Sequence, residues 1–402
     1  MKPRMPFDDV AWEQSEDIAD NWVHEIFAES TLRAIGHFIV KHRRGVPVEL
    51  CDPKAGYYNL IFRMKFQDGG SAIIRFPKPG VVMFPEEKVR NEVATIRYIQ
   101  EHTSIPVPFI LHWGTKEESP LGLGPFIIME YIDHEMNMSK ALNMPELGVE
   151  DRPRLDPNIG DKTLEGTLPR SKLPANIFES SSSFFLTLAD LQMEHLKHQR
   201  NDAVDSTIDC QRKYIARKLF RKLVDHRQRN RATMPGDDFG PFKLWCDDLR
   251  PANVLLNADL QIVGVIDWEF TYAAPAEFFH APPWWLLLEQ PEYWPDGIEA
   301  WTKVYECRLE TFLNVMAKRE DSLIASGRLT ENQRLSEPMR KSWQTGEFWV
   351  SYAARRNFAF DSVYWHKLDE RFFGPAGTVE NAWEKRFDLL DDAEKTAMEQ
   401  LV

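Results

Sequence analysis

Apolar residues set two rhythms along the first part of the chain. Over residues 10–42, Trp12, Ile18, Trp22, Ile26, Leu32, Ile35 and Ile39 recur at roughly helical spacing and stop at the basic run Lys41-His42-Arg43-Arg44, which predicts a helical stretch. The period then drops to two. Leu60, Phe62, Met64 and Phe66 alternate with Ile61, Arg63 and Lys65, Asp68-Gly69-Gly70 supplies a turn, and Ser71 to Phe76 is a second apolar run; together they predict a β-hairpin. From Pro85 to His102 a helical stripe returns through Val89, Val93, Ile96 and Ile99, with Glu92 bordering the inward face. Two strand-like runs follow near 108–113 and 125–132. Residues 144–178 hold no period, are rich in Pro, Gly and charge, and predict a long connecting loop or insertion. Helices are predicted over 184–198 and 214–224, a hairpin near 253–267, and mostly helix beyond it, with no internal repeat.

Composition narrows the class of protein. A chain of 402 residues is long enough for two or three domain-sized units, and 43% hydrophobic content excludes disorder as its main state. The net charge of −13 opposes broad binding to nucleic acid or anionic membranes. Cys51, Cys210, Cys246 and Cys307 form no close pair, which argues against a zinc site or a disulfide framework and predicts reduced thiols. The start, Met-Lys-Pro-Arg-Met-Pro-Phe-Asp-Asp, turns acidic where a signal peptide needs an apolar core, and no apolar run approaches the roughly 20 residues of a membrane span. The expectation is a soluble cytoplasmic protein; its oligomeric state is left open. Ten of the 13 tryptophans lie after residue 240, and Phe278 to Trp285 reads equally as a pocket lining or as core.

The chemistry concentrates in Leu244-Trp245-Cys246-Asp247-Asp248-Leu249-Arg250-Pro251-Ala252-Asn253 and in Val263-Gly264-Val265-Ile266-Asp267-Trp268-Glu269. Asp248 and Asn253 precede one apolar strand, Asp267 ends the next, and the Asn257-Ala258-Asp259 turn between them folds Asp267 back toward Asn253. Two oxygen ligands brought together this way suit Mg²⁺, which takes few protein ligands and completes its octahedron with phosphate and water. Asp248 is then placed to accept a proton from an attacking hydroxyl. Asp247 stands one residue too far from Asn253 for the same spacing. Asp and Asn also favour turns and strand caps, so it is the conjunction with Asp267 that carries the reading.

On these motifs the chain resembles the aminoglycoside and choline phosphotransferase family of the kinase-like fold, and more narrowly its large, mostly fungal group. The likeness runs through Lys54 to Phe76, the Thr103-Ser104-Ile105-Pro106-Val107-Pro108 turn, the hinge-like Ile128-Met129-Glu130-Tyr131, the Asp-Leu-Arg-Pro-Ala-Asn loop, and the C-terminal segments Ser342 to Trp349 and Phe360 to Trp365. The resemblance implies an α+β, two-lobed protein-kinase-like fold: an N-terminal helical extension (1–48), a nucleotide-binding N-lobe (49–132) and a C-lobe (133–402) holding the catalytic loop and the acceptor region.

It also implies ATP and Mg²⁺ as cofactors and a small-molecule hydroxyl as acceptor. Asp248 matches the catalytic aspartate, Asn253 and Asp267 the metal-binding pair, and Glu269 an acidic position that helps hold the metal site. Arg250 falls where many kinases steady the transferring phosphate with lysine, and Arg75 takes the place of the nucleotide-binding strand lysine, with Glu92 as its partner. Ile73, on Arg75's strand face, is expected against the adenine, beside Gly56 of the glycine loop and Glu130 and Tyr131 of the hinge. Three positions depart from the pattern. Cys246 stands where the family has histidine, Arg75 replaces lysine, and the glycine loop keeps only Gly56 beside Tyr57 and Tyr58. These departures motivate two rival expectations: a non-catalytic, pseudokinase-like binding protein, and a kinase fold turned to other chemistry in secondary metabolism.

Overall fold

The computed structural model describes residues 8–143, 178–198, 204–231, 238, 240 and 242–402. The expected connecting loop at 144–178 lies, up to residue 177, outside the described residues, as does the side chain of Trp12. The chain divides into two compact units. The described residues of one fall within Val10–Arg152 and Cys246–Tyr272, so the unit built around the N-terminal sheet also contains the Asp248–Asn253 loop and Asp267; the other is the remainder.

The helical stretch at the N-terminus is two helices, α1 (Asp8–Ile26) and α2 (Glu29–Arg43). Ala28 adopts an extended conformation between them, and its carbonyl accepts from Thr31 and Leu32 to start the second helix. The break leaves Ile18 52% exposed, while Trp22, Ile26, Ile35 and Ile39 are buried.

Strands β1 (Pro47–Leu50), β2 (Lys54–Ala55), β3 (Asn59–Phe66), β4 (Ser71–Pro77), β5 (Ile110–Gly114) and β6 (Phe126–Glu130) form a six-stranded antiparallel sheet in the order β1-β3-β4-β6-β5, with β2 also on β3. The predicted hairpin is β3 and β4, in register Leu60 with Phe76, Phe62 with Ile74 and Met64 with Ala72. Its turn requires Gly69, at φ +84°. Alternation in the central strand β4 divides its side chains. Ala72, Ile74 and Phe76 join Phe62, Phe126 and Ile128 in a core capped by Trp22, Ile26, Ile35 and Ile39, and Ile73 and Arg75 take the opposite face.

Helix α3 (Pro85–His102) covers part of that opposite face through Val89, Val93, Ile96 and Ile99, which pack with Ile127, Met129, Cys246, Val265 and Trp268. The segments that carry Asp248 and Asp267 are thus anchored in the same core as α3 through Cys246, Val265 and Trp268. A second sheet runs β7 (Met136–Asn137), β9 (Val254–Leu256) and β10 (Ile262–Val265), where β8 is Lys243–Cys246; β9 and β10 are the hairpin predicted near 253–267.

The other unit is helical. Helices α4 (Ser181–His198) and α5 (Thr207–Arg231) extend beyond the two predicted there. Gln192 donates to the carbonyls of Ala353 and Ala354, and Arg217 bridges Gln192 O and Asp361, which gives Asp361 a structural role. Trp301, Trp349 and Trp365 are buried, with Trp301 stacked on Tyr305 at 4.3 Å between centroids, whereas Trp284, Trp285 and Trp294 are half-buried. Core packing therefore accounts for part of the tryptophan asymmetry.

Candidate active site

Strand β4 sends Arg75 off the face opposite the hydrophobic core, and α3 brings Glu92 to meet it. The guanidinium pairs with Glu92, which is 2% exposed, and its other arm lies 3.5 Å from Asp267 Oδ1. The two expected partners are thus together, and Asp267 joins them. A charge this deeply placed persists because it is paired, and the planar fork of arginine serves two carboxylates at once.

Two residues that the sequence reading passed over complete this corner. Lys88, one helical turn before Glu92 on α3, places its ammonium 3.1 Å from Glu269 Oε2. Asn59 Nδ2 donates to the same oxygen at 2.7 Å. Glu269, expected beside a metal, is therefore buried and engaged by two donors. Burial pulls the pKa of Lys88 below its ordinary value, and Glu269 pulls it back up. The available signal was positional, because a side chain four residues before Glu92 shares its helix face.

On the catalytic loop, a single 3₁₀ turn, Pro251–Asn253, buries Asn253. Its amide nitrogen donates to Asp248 O at 2.8 Å and Asp248 Oδ2 at 3.1 Å. That commitment leaves the amide oxygen as an acceptor. Arg250 Nε lies 3.0 Å from Asp248 Oδ1, so the guanidinium expected at phosphate sits against the expected base. Asp247 is anchored elsewhere, accepting the Tyr272 hydroxyl at 2.7 Å. Cys246, in the family's histidine position, is 3.9 Å from Asp267 O and its thiol donates to that carbonyl, tying the start of the loop to Asp267. Burial pushes the Cys246 thiol up to about 11, which makes it a packed thiol. Ile266 N donates to Asn253 O at 2.9 Å, and this hairpin bond brings Asp267 back beside Asn253 as the spacing predicted.

Asp267 itself is at φ +67°, a left-handed conformation uncommon for a non-glycine residue and characteristic of strained functional positions. Its carboxyl is raised from 3.8 to about 7, first by burial and then by Glu269 and Asp248, against the pull of Arg75 and Lys88. A carboxylate short of positive charge, next to an amide oxygen with its nitrogen already committed, is a donor set that fits Mg²⁺. Among the described residues there is no cluster of three His, Cys, Asp or Glu poised for a metal, so an ion here would draw its remaining ligands from phosphate and water.

Of these groups, Asn59, Arg75, Glu92 and Asp267 border a cavity of about 480 Å³, whereas Asp248, Arg250, Asn253 and Glu269 are not among its lining. Ile61, Ile73, Ile96, Met129, Leu255 and Ile266 supply its apolar walls, Arg75, Glu92 and Asp267 are among its polar lining, and the hinge-like Glu130 and Tyr131 line it too. The hinge N–H groups are spent within the protein: Glu130 N donates to Phe109 O and Tyr131 N to Ser71 O. Gly56 borders the cavity, but its N–H closes a tight β2–β3 turn onto Asn59 O at 2.9 Å. An added Cβ at Gly56 would meet only Asn59 O, at 3.8 Å, so this turn does not depend on glycine. The expected backbone cradle for phosphate is therefore not supplied by Gly56 N–H.

A strand arginine paired to a helix glutamate and an aspartate after the hairpin at an apolar cavity, with an Asp-x4-Asn loop ahead of that hairpin, define a kinase-like α+β fold. Within that class the chain belongs to the phosphotransferase enzyme family, whose profile matches residues 49–278. It is 26% identical over 261 residues to the clavilactone A biosynthesis cluster protein Y of Ampulloclitocybe clavipes, covering 58% of this chain and 62% of that protein. It is 28% identical over 96 residues to a subtelomeric hrmA-associated cluster protein of Aspergillus fumigatus, covering 24% of this chain and 18% of that one. The chain thus spans less than two thirds of the length of either relative.

Among solved structures it is similar to Plasmodium vivax ethanolamine kinase, at 13% identity and a TM-score of 0.45 over 98% of this chain and 97% of that one. It is also similar to macrolide 2′-phosphotransferase type I, at 15% identity and a TM-score of 0.35 over 86% and 96%. Among the described residues no helix is long and apolar enough to cross a membrane.

Proposed function

We propose that the chain is an ATP-dependent, Mg²⁺-assisted phosphotransferase that acts on a hydroxyl of a small molecule. The observation that carries this reading is the meeting of Arg75, Glu92 and Asp267 at the polar lining of an apolar, nucleotide-sized cavity. Ile73 and its apolar neighbours hold the base, and Arg75 neutralises phosphate charge while Glu92 fixes its fork. Asn253 and Asp267 would hold Mg²⁺, which supplies charge neutralisation on the polyphosphate when bound. Asp248, oriented by Asn253 and Arg250, receives the proton of the acceptor hydroxyl as its oxygen bonds to the γ-phosphorus and the bond to the β-phosphate oxygen breaks, releasing ADP. Because the clavilactone relative is named for a biosynthesis cluster, hydroxylated secondary metabolites are the first acceptors to screen.

Thermal stabilisation by ATP that requires Mg²⁺ and is lost in Asp267→Ala is the expected result; no shift at millimolar ATP sinks the reading. The rival, a binding protein without turnover, draws support from Gly56 N–H being spent inside its own turn. ATP binding with a background hydrolysis rate that is equal in wild type and Asp248→Asn decides for that rival. A metabolite screen for a Mg²⁺- and ATP-dependent mass increase identifies the acceptor.

A further inference from the structure

The corner where Asn59, Lys88 and Glu269 meet is built more firmly than a metal ligand requires. Lys88 is 10% exposed at its side chain and Glu269 3%, with 3.1 Å between ammonium and Oε2. The Tyr58 ring lies 4.5 Å from the ammonium and the Phe270 ring 5.4 Å. Tyr58 and Phe270 also meet edge to face, at 5.5 Å between centroids. The charge is therefore held by a carboxylate and two ring faces drawn from the β2–β3 tip and the segment after Asp267.

The pairings around it leave one opening. Arg75 pairs with Glu92, Arg250 with Asp248 and Lys88 with Glu269, whereas among the described residues the one ion pair of Asp267 is the long 3.5 Å contact to Arg75. A divalent ion on Glu269 would have to displace both Lys88 and the Asn59 amide, or sit against a buried ammonium in a poorly screened site. A divalent ion on Asp267 meets only the longer 3.5 Å contact to Arg75, a cation whose main partner is Glu92. We propose that Lys88 is a resident cation of the phosphate end, standing in for a second divalent ion, so that the chain takes one divalent ion per nucleotide, at Asp267 and Asn253. The inference rests on the reading of the cavity as a metal-nucleotide site.

Equilibrium dialysis of the full chain against Mn²⁺ and a non-hydrolysable ATP analogue counts both ligands without any turnover. One Mn²⁺ and one nucleotide per chain are expected. Lys88→Met removes the ammonium from Glu269 and leaves beside it the neutral Asn59 amide, which can turn its oxygen toward an ion, so the count should rise to two Mn²⁺, returning to one in Lys88→Met/Glu269→Gln. Glu269→Gln alone, which unpairs the Lys88 ammonium and so is read for stoichiometry and not for affinity, should hold one Mn²⁺ per bound nucleotide. Two Mn²⁺ in wild type, or one in a folded Lys88→Met that retains nucleotide, overturns the proposal. Failure to retain the nucleotide at all is a separate result, which overturns the phosphotransferase reading and this inference with it.

Discussion

Asp267→Asn separates the cost of the site from its use. Asparagine tolerates the left-handed conformation of residue 267, at φ +67°, and keeps the side-chain volume, so the change removes mainly charge. The carboxyl moves from 3.8 to about 7, and at about 1.4 kcal/mol per unit this puts about 4 kcal/mol against the ionised form. Water reaches a side chain that is 30% exposed, and screening reduces the figure to about 2 kcal/mol. The sign follows from a pKa raised on folding. Stability linked to protonation is fully present below 3.8 and is lost as pH rises through about 7. Without metal at pH 8, the asparagine variant should exceed wild type by about 2 kcal/mol, an upward Tm shift of about 2–3 °C for a chain of this length, and by about half that at pH 5.5. Adding Mg²⁺ and ATP should reverse the order, because only wild type offers the charged ligand. Thermal melts of both proteins at the two pH values provide the assay. An advantage that is the same at pH 5.5 and pH 8, or a wild type that is the more stable at pH 8 without metal, refutes the account of a carboxylate crowded by burial and like charge.

Other perturbations probe the neighbours. Glu92→Gln strands the Arg75 guanidinium on its long contact to Asp267 and should cost about 3 kcal/mol in chemical denaturation; a loss under about 1 kcal/mol contradicts the pairing. Iodoacetamide at pH 7.5 should label exposed Cys307 and spare Cys246, whose thiol burial holds near 11, as peptide mass spectrometry will show; rapid labelling of Cys246 in the native state counts against a packed thiol. Gly80 sits at φ +81° with Ser15 O and Ile18 against its missing Cβ, so Gly80→Ala should lower stability by about 1–3 kcal/mol, and an unchanged melting curve rejects that close approach of α1.

What could be read in the sequence was whatever depends on local period or fixed spacing. The β3–β4 hairpin followed from alternation around Asp68-Gly69-Gly70, and α3 from its stripe, so the meeting of Arg75 with Glu92 could be anticipated from faces alone. Asp267 returned to Asn253 because a hairpin of that length permits little else. The helix break at Ala28 was hidden because apolar spacing continues across it, and periodicity records which side faces the core without recording where the axis turns.

Lys88 and Asn59 were hidden for a different reason. A lysine early in a charged helix and an asparagine opening a strand look like ordinary surface and turn residues, and only the fold brings both onto Glu269, distant from each in sequence. The same contacts alter how the sequence departures are understood. The missing histidine is partly answered by a thiol that reaches Asp267 O, and Arg75 engages both Glu92 and Asp267. The spent Gly56 N–H lies beside a tip that carries Tyr58 to the Lys88 ammonium. On the proposed nucleotide reading, positive charge at the phosphate end comes from side chains, Arg75 and Lys88, where the family pattern relies on a strand lysine and a glycine loop. Side chains braced by Glu92 and Glu269 keep their placement only while those carboxylates stay in place, so nucleotide affinity should follow the integrity of the two ion pairs more closely than the identity of residue 56.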